Sequence, residues 1–112
     1  MTPAQFRKAA LALPDVVEGS HHEHADFRAG GRVFASLWPD GERAMVKLPP
    51  DEQRRLCERL AGAAVPATGA WGRAGCTVVR LAAWTVADAK DALTQAWQAA
   101  TAARPPRRRR VD

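Results

Sequence analysis

Three histidines and two carboxylic acids lie close together near the start of the chain, and all five are side chains that bind metals. They are His21, His22, Glu23, His24 and Asp26. A structural zinc site needs four ligands in tetrahedral geometry, but adjacent side chains of a strand point to opposite faces. His22 and His24 can therefore share a site that His21 does not easily join, and no CxxC or HxxxH spacing adds ligands. We expect a polar strand entry without metal; a pH-sensitive or ligand-contacting role is the alternative.

The two cysteines are the candidate nucleophiles. A catalytic thiol needs an adjacent base, but Cys57 falls on the apolar stripe of a predicted helix and Cys76 at the start of a predicted strand. Two cysteines are too few for a disulfide framework, so we expect two free, partly buried thiols. Phosphate-binding, dinucleotide-binding, nucleophile-elbow and zinc-protease motifs are all missing from the sequence. The sequence thus predicts no catalytic residues, no cofactor and no metal.

Aromatic and basic side chains form the other candidate site, because indole rings stack on bases and basic groups pair with phosphates. Some flank a glycine in a predicted loop, and the rest lie on one face of a predicted sheet: Trp71 and Arg73, then Arg28, Trp38, Lys47 and Arg80. The alternative for Trp71 is that it caps the core from the loop. For the sheet residues, the alternative is that the last helix covers their face.

The sheet is predicted from segments that alternate apolar with other residues at a period of two. They are 26–28, 32–38, 43–48 and 77–81, and turns at Gly30–Gly31 and Pro39–Glu42 join the first three. The first face, predicted to be the core face, collects Phe27, Val33, Ala35, Leu37, Ala44, Val46, Leu48, Val79 and Leu81. The second face collects Arg28, Phe34, Ser36, Trp38, Arg43, Met45, Lys47, Val78 and Arg80.

Helices are predicted before, between and after these strands. Thr2 is a predicted N-cap, with proline at the first helical position and Gln5 completing a capping box. A second helix begins after Pro49, and a third begins near Thr85. We interpret 16–23 as a connector or ragged strand start and 61–70 as a loop. The order α-β-β-β-α-β-α predicts a two-layer α+β fold, an antiparallel meander with helices packed on one face.

The length of 112 residues fits one small domain, which we place at 1–103. The net charge is +5, but residues 1–103 carry 12 basic and 11 acidic side chains. Most of the excess therefore lies in 104–112, predicted to be a disordered arginine-rich tail that either attracts phosphates or merely aids solubility. Because no apolar stretch suits a membrane span or a signal peptide, we expect a cytoplasmic protein.

The ordered segments 10–14, 24–28, 32–37, 45–48 and 71–73 resemble the MmcQ/YjbR-like family. The resemblance covers about residues 3 to 100 and leaves out the arginine tail. It implies a CyaY-like, double-wing α+β topology and a DNA-binding role, and it supplies no catalytic residues. Cys76 departs from the resemblance, which implies a large aromatic after Gly75. A role assigned to an aromatic there does not carry over.

From these observations we expect a non-enzymatic, cytoplasmic domain that binds nucleic acid through the aromatic and basic residues Arg28, Trp38, Lys47, Trp71, Arg73 and Arg80. The alternative is a module that uses the same residues to bind a protein, a second copy included, or a small ligand. An enzyme of unrecognised type is a third reading. The nearly neutral charge of residues 1–103 counts against strong duplex binding, which needs a clustered basic surface.

Overall fold

The computed structural model describes residues 1–102, apart from the side chain of His21, so the predicted arginine-rich tail lies outside the described residues. The elements in chain order are α1 (Pro3–Leu11), β1 (Val17–His21), β2 (His24–Ala29), β3 (Arg32–Leu37), β4 (Arg43–Lys47), α2 (Pro50–Arg59), β5 (Ala64–Pro66), α3 (Gly69–Arg73), β6 (Cys76–Arg80), a 3₁₀ turn (Leu81–Ala83) and α4 (Val86–Thr101). The α+β class is confirmed.

The described strands form one six-stranded antiparallel sheet in the order β1-β2-β3-β4-β6-β5. The first four strands are a meander, and the predicted glycine and proline turns connect β2 to β3 and β3 to β4. Gly30 and Gly31 both adopt positive φ angles, which side chains with a Cβ rarely tolerate. The hairpin turn predicted at this position is therefore confirmed.

The first and last helices begin where their capping residues predict. The Thr2 side chain accepts a hydrogen bond from the Gln5 backbone N–H, and the Gln5 side chain accepts one from the Thr2 N–H, which is a complete capping box. At α4, the Thr85 hydroxyl accepts from the backbone N–H of Asp88. Both caps are set by residues adjacent in sequence, which is why the sequence alone predicts them.

The core lies between the first face of the sheet and the helices. Phe6 of α1, Leu56 of α2 and Leu93 of α4 belong to the same buried cluster as Phe27 and Val46. Trp84, which follows the 3₁₀ turn, is also buried there and lies beside the Phe6 ring. Because every buried apolar side chain of α1, α2 and α4 joins this one cluster, these helices leave the second face uncovered.

A β-bulge in β3 changes which of its side chains face the core, compared with the prediction. Ala35 pairs with Phe27, but Val33 pairs with Arg28, so Phe34 is an extra residue between two paired positions. Phe34 is consequently fully buried in the core, whereas Val33 is only half-buried. The prediction that Val33 faces the core and Phe34 lies on the second face was wrong, because alternation shifts by one residue at a bulge.

One strand and one short helix were not predicted. β1 occupies most of 16–23, which agrees with the strand alternative and not with the connector, whereas β5 lies within the predicted loop at 61–70. The segment Trp71-Gly72-Arg73, predicted as loop, is part of α3, where the Gly72 position leaves no room for a Cβ against the Ala67 carbonyl. The additional strands extend the sheet at both edges and do not change its class.

Candidate functional site

The second face of the sheet is a broad surface that mixes basic, aromatic and aliphatic side chains. Arg28, Lys47 and Arg80 are exposed on it, while Met45 and Val78 at its centre are half-buried. The alternative that the last helix covers this face was wrong, because α4 buries its apolar stripe in the first-face core. The helices α1, α2 and α4 therefore leave the second face uncovered, although Asp26 and Ser36 on it are themselves buried.

The turn between β3 and β4 brings an arginine onto an indole ring. Trp38 donates its backbone N–H to the Arg43 carbonyl at 3.0 Å, which closes the turn. The Arg43 guanidinium then lies 4.0 Å from the centroid of the Trp38 ring, in cation–π geometry. The His24 ring meets the same indole edge-on at 5.5 Å. One end of the second face thus carries a packed aromatic and basic group.

Asp40 holds this turn together. Its side chain accepts hydrogen bonds from the backbone N–H groups of Glu42 and Arg43, at 2.8 and 3.1 Å, and from the Arg43 Nε at 2.7 Å. The Glu42 N–H and the Arg43 side chain stabilise the charged carboxylate, so they lower the pKa of Asp40 below its usual value. The charge on Arg43 is therefore locally balanced, and its guanidinium is oriented.

Arg80 lies directly opposite Arg43 across the β4–β6 ladder. Like charges at opposed positions of a sheet destabilise it, and Arg43 already has Asp40 as its partner. Among the described residues, Arg80 forms no ion pair. The pair is thus a local excess of positive charge that an anion would neutralise.

Arg28 is held differently, because it covers a buried acid. Its Nε and Nη2 donate to the two carboxylate oxygens of Asp26 at 2.9 and 3.1 Å, and Asp26 is fully buried. The hydrogen bonds from Arg28 and the opposite charge of the carboxylate raise the pKa of Arg28. Gly19 permits this arrangement, since a Cβ there would lie 3.1 Å from the Asp26 Oδ1. The Arg28 guanidinium is consequently occupied by Asp26, and this ion pair stabilises the fold.

The other end of the second face carries Lys47, opposite Cys76 in the ladder. Trp71 and Arg73 belong to α3, which contacts β5 and β6 beside this end. Trp71 is 72% exposed, so the alternative that it caps the core was wrong. Its indole is free of packing that would prevent stacking on a ligand.

The predicted site residues therefore divide into two groups. Trp38 and Arg80 lie at one end of the sheet, and Lys47, Trp71 and Arg73 lie at the other. Since Arg43 begins β4 and Lys47 ends it, the two groups are about 13 Å apart along the strand, at roughly 3.3 Å per residue. Arg43 was missed as a site residue. Trp38 precedes the predicted turn at Pro39–Glu42 and Arg43 follows it, so this turn is the sequence signal that brings the two residues together.

The histidines lie at a strained turn. His22 and Glu23 connect β1 to β2, and both have positive φ angles, of 49° and 66°, which non-glycine residues rarely adopt. His24 Nδ1 lies 3.1 Å from the His22 carbonyl oxygen. No three His, Cys, Asp or Glu side chains converge as a metal site within the described residues. The expectation that the cluster binds no metal remains a prediction.

Both cysteines are free thiols in the described structure, with Cys76 buried and Cys57 half-buried. Burial raises the pKa of each thiol, and the nearby Lys47 only partly offsets this effect at Cys76. A raised pKa keeps both groups protonated at neutral pH, and the thiol is a much weaker nucleophile than the thiolate.

Comparison with known proteins gives a family and a similar fold. A crystal structure of Deinococcus radiodurans protein DR2400, which has a DUF419 domain, has a similar fold, with a TM-score of 0.73 over 86% of this chain and 75% of that chain. The two sequences are 16% identical, so this likeness concerns the fold alone. None of the curated proteins matches the chain. A sequence model of the YjbR family, however, matches residues 11–99. The chain therefore belongs to the YjbR family.

Proposed function

We propose that the protein binds nucleic acid through the second face of its sheet. The observation that carries this proposal is the opposed pair Arg43 and Arg80 beside Trp38, on a face that α1, α2 and α4 leave uncovered. Arg80 has no acidic partner among the described residues, and the arginine opposite it covers an aromatic ring, so this end of the face suits a phosphate and its adjoining base. The DNA-binding role that the family resemblance implies agrees with this proposal.

The contacts differ in strength along the face. Arg80 is the principal phosphate contact, since it has no acidic partner among the described residues. Trp71 is the principal stacking contact because it is the most exposed large apolar side chain described. Lys47 and Arg73 add phosphate contacts near Trp71. Arg28 contributes least, since its guanidinium is bound to Asp26.

Single strands fit this surface better than duplex. The described residues contain no long basic patch that would follow a duplex backbone, and several of their arginines are paired with acids. A strand whose bases are unpaired can instead stack on one indole while its phosphates reach separated cations. Affinity of the folded domain is therefore expected to be modest and dependent on salt.

A binding titration tests this proposal directly. Fluorescence anisotropy of labelled single strands and of the matching duplex, at two salt concentrations, gives affinity and salt slope. Arg80→Gln should weaken single-strand binding about five-fold or more, because it removes a charge-assisted phosphate contact. The matched control is Lys90→Gln, an exposed cation of α4 on the opposite side of the sheet. Equal effects of the two substitutions would contradict a specific role for the second face.

A protein-binding module is the second candidate, and two exposed apolar residues favour it. Val65 on the edge strand β5 is 49% exposed, and Trp71 on the adjoining α3 is also exposed. Exposed apolar side chains at a sheet edge are common features of protein interfaces. If the oligonucleotides do not bind and a Val65→Lys variant changes the oligomeric state, this candidate replaces the first.

We also propose that the protein is not an enzyme and works in the cytoplasm. Two free thiols with raised pKa values support the first proposal, because neither is activated for nucleophilic attack. Free thiols are also typical of a reducing compartment. No helix among the described residues is long and apolar enough to cross a membrane. The CyaY-like topology that the resemblance implies remains an expectation of the same kind.

A further inference from the structure

A cleft of about 250 Å³ lies between the C-terminal half of α4 and the ends of β3 and β4. Phe34 and Leu48 line it from the sheet, and both are buried. Ala96, Ala99 and Ala100 line it from the helix. Its lining is thus mostly apolar, and it lies away from the Trp38 end of the second face.

The cleft exists because two neighbouring strands separate there. The pairing of β3 with β4 stops at Ala35 and Val46, although β3 begins at Arg32 and β4 continues to Lys47. Beyond that point the chain after β4 bonds to the other side, where Leu48 donates its N–H to the Gly75 carbonyl at 2.9 Å. The bulge at Phe34 belongs to the same divergence.

The helix leaves the resulting space open. Residues 96, 99 and 100 are spaced i, i+3, i+4, so they share one face of α4. All three are alanines, the smallest side chains with a Cβ, and therefore do not fill the gap between β3 and β4. A larger residue at Ala99, the exposed member of the three, would narrow the cleft without entering the core.

One cation completes the lining. Arg32 pairs with the core residue Ala29 and so borders the cleft on the side of α4, and no acidic residue among those described lines the cleft. Arg32 forms no ion pair within the described part of the chain, whereas Arg7, Arg43 and Arg54 all do. The adjoining Pro49 and Pro50 lack backbone N–H groups. A polar group of a ligand at this position would thus be bound by positive charge.

We propose that this cleft binds an organic anion with an apolar body, of which a medium-chain carboxylate is the simplest example. The apolar body packs against Phe34, Leu48 and the alanines, and the anionic group pairs with Arg32. The size is suitable, because a cavity of about 150 Å³ lined by apolar residues holds a benzene molecule. This activity is separate from nucleic-acid binding, whose principal phosphate contact, Arg80, lies at the other end of the sheet.

Calorimetric titration of the full chain with octanoate tests the ligand class. Octanamide has nearly the same body without the charge, and acetate has the charge without the body. We expect octanoate to bind at least ten-fold more tightly than octanamide, and acetate not to bind measurably. Absence of octanoate binding, or equal affinity for octanoate and octanamide, overturns the proposal.

Matched replacements of two alanines by leucine test where the ligand binds. Ala99→Leu enters the cleft from an exposed helical position, and Ala87→Leu makes the same change about 18 Å away on α4. We expect Ala99→Leu to weaken octanoate binding at least ten-fold and Ala87→Leu to leave it unchanged. Equal effects of both, or no effect of Ala99→Leu in a variant with wild-type melting temperature, overturn the proposal.

A charge substitution tests the anion contact. Arg32→Gln should reduce octanoate affinity to that of octanamide, whereas Arg59→Gln on α2 should not. Octanoate affinity that survives Arg32→Gln overturns the proposed role of this cation. Arg80→Gln, which tests nucleic-acid binding, should leave octanoate affinity unchanged, so the two proposals succeed or fail separately.

Discussion

The Arg43 guanidinium lies over the Trp38 ring, 4.0 Å from its centroid, and at the same time binds the Asp40 carboxylate at 2.7 Å. One side chain thus connects the turn between β3 and β4 to the aromatic residue that precedes it. Cation–π pairs at exposed sites contribute about 0.5–1 kcal/mol. The free energy of unfolding should therefore depend on the two residues jointly.

A double-mutant cycle measures this coupling. We expect Trp38→Leu and Arg43→Gln, alone and together, to give a coupling free energy of about 0.5–1 kcal/mol by urea denaturation. The pair Trp71 and Arg73 serves as the control, since no contact joins those side chains in the described structure. A coupling near zero for Trp38 and Arg43 would show that the contact does not persist in solution.

The lowered pKa of Asp40 predicts how stability depends on pH. Its folded pKa lies below the unfolded value of about 3.9, so its contribution is fully present above the unfolded pKa. That contribution is lost as the pH falls through the folded pKa. The difference in unfolding free energy between wild type and Asp40→Asn should be constant near neutral pH and shrink in acid. An NMR titration in which the pKa of the Asp40 carboxyl lies above its unfolded value would contradict this.

A substitution at Val46 tests which face of the sheet is buried. It is fully buried on the first face, between Ala35 on β3 and Thr77 on β6. Val46→Asp should destabilise the domain by about 4 kcal/mol or more, because it buries a charge without a partner. The same substitution at exposed Val65 should cost about 1 kcal/mol or less. Similar melting temperatures for the two variants would disprove the assignment of the first face.

The histidines give a prediction about metal. We expect protein purified without an affinity tag to contain no stoichiometric zinc, because convergent ligands are too few among the described residues. Elemental analysis measures this directly. One zinc per chain that disappears on replacing His22 and His24 would refute the prediction and would assign a function to the strained turn.

Sequence alone predicts those parts of the fold that depend on neighbouring residues. The capping residues Thr2 and Thr85 and the turns at Gly30 and Asp40 act within a few positions, and the structure confirms each. β1 and β5 depend on pairing with distant strands, and their polar or small residues carry no alternation of their own. Their existence therefore follows from the sheet and not from their own sequence.

For the candidate site, too, the sequence predicts the features that depend on strand parity but not those that depend on side-chain conformation. Trp38 and Arg80 were placed on the second face by parity alone, and the structure puts them in adjoining positions through Arg43. Parity does not reveal that Arg28 would be bound to Asp26, because that contact depends on side-chain conformation. It also does not reveal the bulge, since Val33, Phe34 and Ala35 are all apolar and either register satisfies the pattern.

Substitutions at Trp71 and in the arginine tail together test whether the folded domain binds the nucleic acid. Stacking contributes roughly 1–3 kcal/mol per base, so Trp71→Ala should weaken single-strand binding by about 5- to 150-fold. Replacing the five arginines of 104–112 by glutamine should chiefly flatten the salt dependence, by about 0.7 in slope for each phosphate that the tail no longer neutralises. Anisotropy titrations at two salt concentrations separate the effects. If binding disappears with the tail arginines and Trp71→Ala has no effect, the second face is not the binding surface, and the protein-binding alternative follows.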